Sequence, residues 1–417
     1  MKRNVMALIS VLIVFVLAFS TTLAQDSEQP LVGSWDECPT PENLPETVTI
    51  GAVFGLSEAV AVYGTSQKQA VELAVEEINT SGYLGASTLQ VIFEDSAGNR
   101  DQAIAAMTKL VEEDNVLAVI GPTLSAEAFA ADPIAQENGT VVMGVSNTAI
   151  GLTDMGDYVF RDSLPEAAVI PGTIAQARET LGLTKVGLLY GNDDDFTVSG
   201  YEVFKQTLQD SVIEILGEET FAKGDVDFNA QLTNLIGANP DALVVSALAA
   251  EATQIILQAR SLGYTGPIIG GNGFNSPAVL KDTGAASEGL IVGGAWNYGN
   301  PNPSESSVRF VELYEARYED QSPDQFAAQA YTGAWLTATA IRCGNFAADA
   351  DVATQRTALR DALAAIKDFD SPLGVFSFDE NRNPIHDPIA QIVSEGKFKP
   401  LAVVLGAQAT PEATPAS

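Results

Sequence analysis

Residues 116–148 read VLAVIGPTLSAEAFAADPIAQENGTVVMGVSNT, and this stretch decides the fold. VLAVIG (116–121) and TVVMGV (140–145) are short apolar runs that predict fully buried strands, and 125–138 between them carries a helical pattern. Two strands of that kind joined through a helix predict parallel neighbours in a sheet covered on both faces. The same rhythm runs upstream: TVTIGAVF (47–54), helix SQKQAVELAVEEIN (66–79), LQVIFED (89–95) and helix RDQAIAAMTKLVEED (100–114). In the first of these helices Val71, Ala74, Val75 and Ile78 share one face, with Glu72, Glu76 and Glu77 expected to point elsewhere.

After Arg161 the alternation restarts. Helix 166–181, strand 185–190, helix 197–209, strand 212–219, helix 227–238, strand 241–246, helix 250–262 and strand 267–271 form a second unit of similar size. Helical patterns at 304–320, 325–343 and 353–366 follow, then strand-like segments at 374–378 and 388–398 with a hairpin turn at Ser394-Glu395-Gly396-Lys397. The predicted class is α/β, with two lobes of parallel sheet, a cleft between them, and late segments returning to both.

Composition narrows the function. Lys and Arg number 21 against 54 Asp and Glu, a net charge of −33 that repels phosphate backbones and argues against nucleic-acid binding. His386 is the only histidine, and Cys38 and Cys343 are the only cysteines, too few for a closed zinc site or an iron–sulfur cluster. Residues 1–24 have a basic start, an apolar run and a small-residue end at Ala24, the pattern of an export signal, and no later segment is long and apolar enough to span a bilayer. Export favours pairing of the two cysteines. Residues 406–417, rich in Pro, Ala and Thr, are expected to be disordered.

Ligands of parallel sheets bind beyond the carboxyl ends of the strands. After VLAVIG comes Pro122-Thr123-Leu124-Ser125, with Ser125 at the opening of a helix; after TVVMGV comes Ser146-Asn147-Thr148. These hydroxyls and the helix N–H groups suit a carboxylate, and the plainer alternative is that Ser125 is an N-cap and the others are turn residues. The acidic loop Gly191–Asp195 fails the calcium-loop spacing, leaving a capping Asp and Phe196 facing the cleft. Asn272 follows the last strand of the second unit. Gly144-Val-Ser146-Asn-Thr148 lacks the second glycine of a nucleophile elbow, and Gly271-Asn-Gly273 lacks the third of a dinucleotide fingerprint. A hydrolase would have to use Ser146 with His386.

TVTIGAVFGLSEAVAVYG, VIFEDSAGNRDQAIAAMTKLV, VIGPTLS, DPIAQENGTVVMGVSNT, QARSLGYTGPIIGGNGFNSP, DQFAAQAYTGAW and SPLGVFSFDENRNP, in this order, resemble the branched-chain amino-acid-type solute-binding proteins of ABC transporters. The likeness covers about 46–400. It implies a type I periplasmic binding protein fold: two Rossmann-like lobes on a three-strand hinge, with a signal peptide at 1–24 and a lead-in at 25–45. The first lobe is then 46–166 with 296–370, the second 167–295 with 371–405. It further implies an exported monomer that captures an amino acid or small carboxylate by hinge closure and hands it to membrane permease subunits, without catalysis, metal or cofactor. A sensor delivering its ligand to a receptor is the alternative. By resemblance Ser125 and Thr148 hold the ligand carboxylate, Ser146 offers backbone contacts, and Tyr63 and Phe196 pack on the ligand's side chain. Two positions depart: Asn272 stands where amino-acid binders carry the acid that pairs with the α-ammonium, and Leu248 where a second Tyr is frequent.

Overall fold

The computed structural model describes residues 32–319, 321–344 and 346–406; the export signal and all but the first residue of the expected tail lie outside them. The first lobe begins β1 (Thr47–Phe54), α1 (Ala61–Thr80), β2 (Thr88–Asp95), α2 (Arg100–Thr108), β3 (Ala118–Ile120), α3 (Ser125–Glu137), β4 (Val141–Gly144) and β5 (Val159–Arg161). The second follows as α4 (Glu166–Leu181), β6 (Lys185–Gly191), α5 (Asp195–Asp210), β7 (Glu214–Phe221), α6 (Asn229–Gly237), β8 (Ala242–Ser246), α7 (Ala249–Ser261), β9 (Ile268–Gly270), α8 (Pro277–Thr283) and β10 (Leu290–Gly294). The chain then returns through α9 (Glu305–Arg317), α10 (Gln325–Gly344), α11 (Val352–Ala364), β11 (Phe369–Ser371), β12 (Gly374–Phe378) and β13 (Pro384–Ile385). It ends with β14 (Ile389–Ser394), β15 (Lys397–Pro400) and α12 (Leu401–Gly406).

The first sheet has the order β2-β1-β3-β4-β5, all parallel. The second repeats that order in its own strands, β7-β6-β8-β9-β10, and adds β14 and β15 antiparallel at the β10 edge. The α/β class and the doubled parallel sheet are therefore as the sequence implied. The turn between β14 and β15 places Glu395 (φ 57°) and Gly396 (φ 71°) in the left-handed region, the conformation a tight hairpin requires.

Some elements escaped the sequence reading. β5 and β10 are short strands that complete each sheet, and α1 begins at Ala61, five residues before its predicted start. Glu77 does not point outward: it is buried, paired with Arg309 at 3.2 Å and hydrogen-bonded by the Tyr331 hydroxyl. Helix α10, buried over most of its length, packs against α1 and brings Tyr331 to Glu77, while α9, packed on the same helix, brings Arg309.

The expected return to the second lobe at residue 371 is also corrected. β11, β12 and β13 form a small antiparallel sheet on the first lobe, where Phe376 and Phe378 enter its core and Phe378 meets Phe160 edge-on at 5.3 Å. Apolar alternation in GVFSF needs a core to cover it, and the first lobe supplies it. The return therefore falls between Ile385 and Ile389, with the other crossings at Arg161–Glu166 and Gly294–Glu305.

Cys38 and Cys343 form a disulfide, with Cα atoms 5.3 Å apart, that ties the lead-in to the end of α10. Arg342 reinforces it, donating to the Cys38 carbonyl at 2.8 Å and lying over the rings of Trp35 and Tyr83. The bridge closes a span of 305 residues, for which chain entropy gives a stabilisation on the order of 5 kcal/mol. The Cys38→Ser/Cys343→Ser variant is expected to lose several degrees of Tm in calorimetry, equal to the loss on reducing the native chain. An unchanged Tm in both would contradict the anchoring role.

Candidate functional site

The carboxyl ends of both sheets face one cleft. It is lined by Tyr63, Thr123, Leu124, Ser125, Ser146, Phe196, Leu248, Asn272, Gly273 and Phe326. Six of the seven residues singled out from sequence are therefore brought together: Tyr63, Ser125, Ser146, Phe196, Leu248 and Asn272. Thr148 is buried just behind this lining, and its Oγ1 has no hydrogen-bond partner. Thr123, Leu124, Gly273 and Phe326 were not singled out. The lobes meet across the cleft, whose free space of about 20 Å³ holds about one water and no ligand. A ligand enters only as the lobes separate.

Each side chain is placed by its position at a strand end. Gly121, after β3, has φ 102°, and a Cβ there would meet the Val53 carbonyl at 2.3 Å, so the Gly-Pro turn runs directly against β1. That turn sends Ser125 to the first position of α3. Ser125 is not the helix cap: Leu124 precedes the helix, and Glu127 accepts the Leu124 N–H at 2.8 Å. The Ser125 hydroxyl is left to accept the Ala149 N–H at 3.3 Å, linking it to the loop after β4. At the start of α1, Gly64 allows the helix to touch the Gly55 carbonyl, where a Cβ would lie at 2.1 Å, and this seats Tyr63 under the cleft.

A hydrogen-bonded chain organises the first-lobe floor. Gly55 N–H donates to Thr123 Oγ1 (3.0 Å), Thr123 Oγ1 to Gln67 Oε1 (2.7 Å), Gln67 Nε2 to Ser146 Oγ (2.8 Å), and Ser146 Oγ to the Thr123 carbonyl. Gln67 is fully buried, four residues before Val71 on the apolar face of α1. A polar residue on that stripe was the signal that could have found it. Behind the Ser146–Ala149 loop, buried Arg161 donates to the carbonyls of Asn147 (3.1 Å) and Ala149 (2.8 Å), and burial lowers its pKa to about 10.

The second lobe closes the other wall. Tyr63 crosses the cleft: its hydroxyl donates to the Gly273 carbonyl at 2.9 Å and accepts the Ala249 N–H at 2.7 Å, and its ring meets Phe326 edge-on at 4.8 Å. Phe196 sits at the first turn of α5, which Asp194 caps by accepting the Phe196 N–H at 3.0 Å, as the acidic loop suggested. An Arg100–Asp195 ion pair at 2.6 Å also spans the lobes, but both partners are largely exposed and such pairs contribute little. His386 is absent from the cleft lining and packs near Phe376.

Asn272 is held by a second chain, and backbone groups at its ends fix every amide in it. The Ala295 N–H donates to Gln325 Oε1 at 3.0 Å, so Gln325 turns its Nε2 to Asn272 Oδ1. The Gly293 carbonyl accepts from Asn275 Nδ2 at 2.8 Å; Asn275 Oδ1 accepts from Gln391, whose Oε1 accepts from Asn297. With Oδ1 engaged, Asn272 keeps its two Nδ2–H donors. Beside it, the Glu166 carboxylate at the first crossing accepts the Asn272 backbone N–H at 2.9 Å, and burial raises its pKa to about 7.

Two lobes meeting over hydroxyls and helix ends form a cleft of the kind that binds a small molecule. The sequence comparisons agree on the lineage: the model of the periplasmic binding protein family matches residues 47–397, and this chain belongs to that family. The leucine-, isoleucine-, valine-, threonine- and alanine-binding protein of Pseudomonas aeruginosa is 25% identical over 336 residues, covering 80% of this chain and 86% of that protein. The branched-chain amino-acid substrate-binding protein LivJ of Streptococcus pneumoniae, solved with isoleucine, superposes with a TM-score of 0.77 at 31% identity, covering 85% of this chain and 98% of its own. A benzoate-bound solute-binding protein of R. palustris has the same TM-score of 0.77 at 23% identity, covering 85% and 95%. The last of these is the solute-binding protein of an ABC transporter, and the fold of this chain is that of the type I periplasmic binding proteins. No helix among the described residues is long and apolar enough to cross a membrane.

Two measurements test the geometry. Tyr63→Phe removes both hydrogen bonds of the cross-lobe hydroxyl and is expected to weaken closure by about 1–3 kcal/mol, read as a larger radius of gyration in solution scattering. An unchanged radius would show that the hydroxyl does not hold the lobes together. For Glu166 the folded pKa of about 7 exceeds the unfolded carboxylate value, so the folded protein binds more protons between about pH 4.5 and 7 and gains stability as pH falls through that window. The Tm of the native chain minus that of Glu166→Gln is expected to rise from pH 8 to pH 5, approaching about 3 kcal/mol in stability. A constant difference would refute the buried-carboxyl reading.

Proposed function

We propose that this protein is an exported solute-binding protein that captures a small carboxylate with an apolar body and delivers it to ABC permease subunits. The observation that carries the ligand class is the polarity of Asn272. Its Oδ1 is taken by Gln325, and no acidic side chain lines the cleft, so nothing there matches an α-ammonium. Donors and hydroxyls do match a carboxylate: Ser125, Thr148 with its unpartnered Oγ1, and the N–H groups opening α3. Tyr63, Phe196, Leu248, Leu124 and Phe326 supply apolar walls for the body of the ligand. Lobe closure follows from tighter binding in the closed state.

The second reading, a branched-chain amino acid, rests on the relatives that bind leucine and isoleucine and on the Glu166 carboxyl beside Asn272. A thermal-shift screen separates the two. Benzoate and branched 2-oxo acids are expected to raise the Tm while leucine, isoleucine and valine do not; the reverse pattern would establish the amino-acid reading. With the best ligand, Ser125→Ala and Thr148→Ala are each expected to weaken binding by about 1–3 kcal/mol by calorimetry, the scale for hydrogen bonds to a charged group. Unchanged affinity in both would remove the carboxylate site from this end of the cleft.

A further inference from the structure

On the hinge side lies a second cavity of about 640 Å³ that shares no lining residue with the ligand cleft. Its walls come from both lobes and from the crossing after β10, and it lies within the size range of small-molecule sites. Two properties set it apart from ordinary surface.

The first is charge. Lys281, Lys397 and Lys399 all line it, three of the 21 basic residues in a chain with 54 acidic ones. Lys399 pairs with Glu395, whereas Lys281 and Lys397 are in no ion pair among the described residues. The one carboxylate on the wall, Asp324, is already engaged by the Ser66 hydroxyl at 3.1 Å and the Ala327 N–H at 2.8 Å. Glu288, near the hairpin, is occupied by the backbone N–H groups of Glu395 and Gly396.

The second is a fixed aromatic wall. Trp296 is held by its Nε1–H to Ser307 Oγ (2.9 Å), and Tyr298, half exposed, by its hydroxyl to Glu315 (2.9 Å); Phe398 completes the set. Rigid rings next to unpaired ammonium groups offer a flat face and a counter-charge in one place. Between them Asn297, 4% exposed, keeps a buried Oδ1 with no partner, a free acceptor on the same wall.

We propose that this cavity is a second binding site, for a flat aromatic carboxylate larger than one ring. The rings stack on Tyr298, against the edge of Trp296, and the carboxylate is met by Lys281 and Lys397. The probe is 2-naphthoate, titrated into the full chain by calorimetry and by tryptophan fluorescence. Trp296 is the tryptophan on this wall, at the edge of the first-lobe core; Trp335 lies within that core and Trp35 packs against it, neither lining the cavity. Saturable binding with quenching is expected, weakened about tenfold or more in Lys281→Ala/Lys397→Ala and within about twofold of native in Ser125→Ala. Neutral 2-naphthamide is expected to bind about tenfold more weakly. The proposal is overturned by the absence of saturable binding, by equal affinity for the amide, or by a loss that follows Ser125→Ala rather than the lysine variant. The last outcome would place naphthoate in the ligand cleft.

Discussion

Parallel strands all end on the same edge of their sheet, and the architecture of this protein depends on that constraint. Each sheet runs in the order two-one-three-four-five, so each has one point where successive connections leave in opposite directions and a crevice opens. Because the lobes face each other edge to edge, the two crevices become the halves of one cleft. Ser125 follows β3 and Thr148 follows β4; Phe196, Leu248 and Asn272 follow β6, β8 and β9. Residues up to 210 positions apart, such as Tyr63 and Gly273, hydrogen-bond because topology delivers both to the same edge.

This arrangement also resolves an electrostatic tension. A chain with a net charge of −33 is a poor partner for an anion at long range. Screening limits that field to roughly 8 Å in physiological salt, and a carboxylate bound as proposed would meet the local set of dipoles. Hydroxyls and helix N–H groups face it, and the Arg161 guanidinium lies behind the loop that carries Ser146 and Thr148. Arg161 is buried and donates to backbone carbonyls and to the Asn383 side chain, with the Asp379 and Asp154 carboxylates close enough to offset part of its charge. Neither an acidic nor a basic side chain lines the cleft itself, so its walls are neutral and polar where the surface is acidic.

How much of this could be read from the chain depended on the range of the interaction. Strand and helix periodicity is local, and VLAVIG, KVGLLY and the helix at 166–181 were legible with nearly their final boundaries. Site residues at strand ends were legible too, since their placement follows from topology once the strands are known. β5, whose three residues include the charged Arg161, and β10, which ends in a glycine pair, were missed. Glu77 and Gln67 were misjudged or overlooked for a different reason: each is a polar group inside a helix face, and its partners, Arg309 and Tyr331 for one, Thr123 and Ser146 for the other, arrive from distant segments.

The least legible feature is the one that matters most for specificity. The sequence shows an Asn at position 272, and an amide can donate or accept, so residue type alone leaves the preferred ligand group open. The structure removes the ambiguity through its hinge. The Ala295 N–H and the Gly293 carbonyl are adjacent to β10 and cannot reverse their polarity, so Gln325 and Asn275 must orient to suit them. Gln325 then fixes Asn272 as a donor toward the cleft. The donor that Asn272 presents is thus set by backbone groups at the end of β10, beside the crossing to the first lobe. The polarity of this part of the cleft and the connection between the lobes therefore rest on one hydrogen-bonded chain.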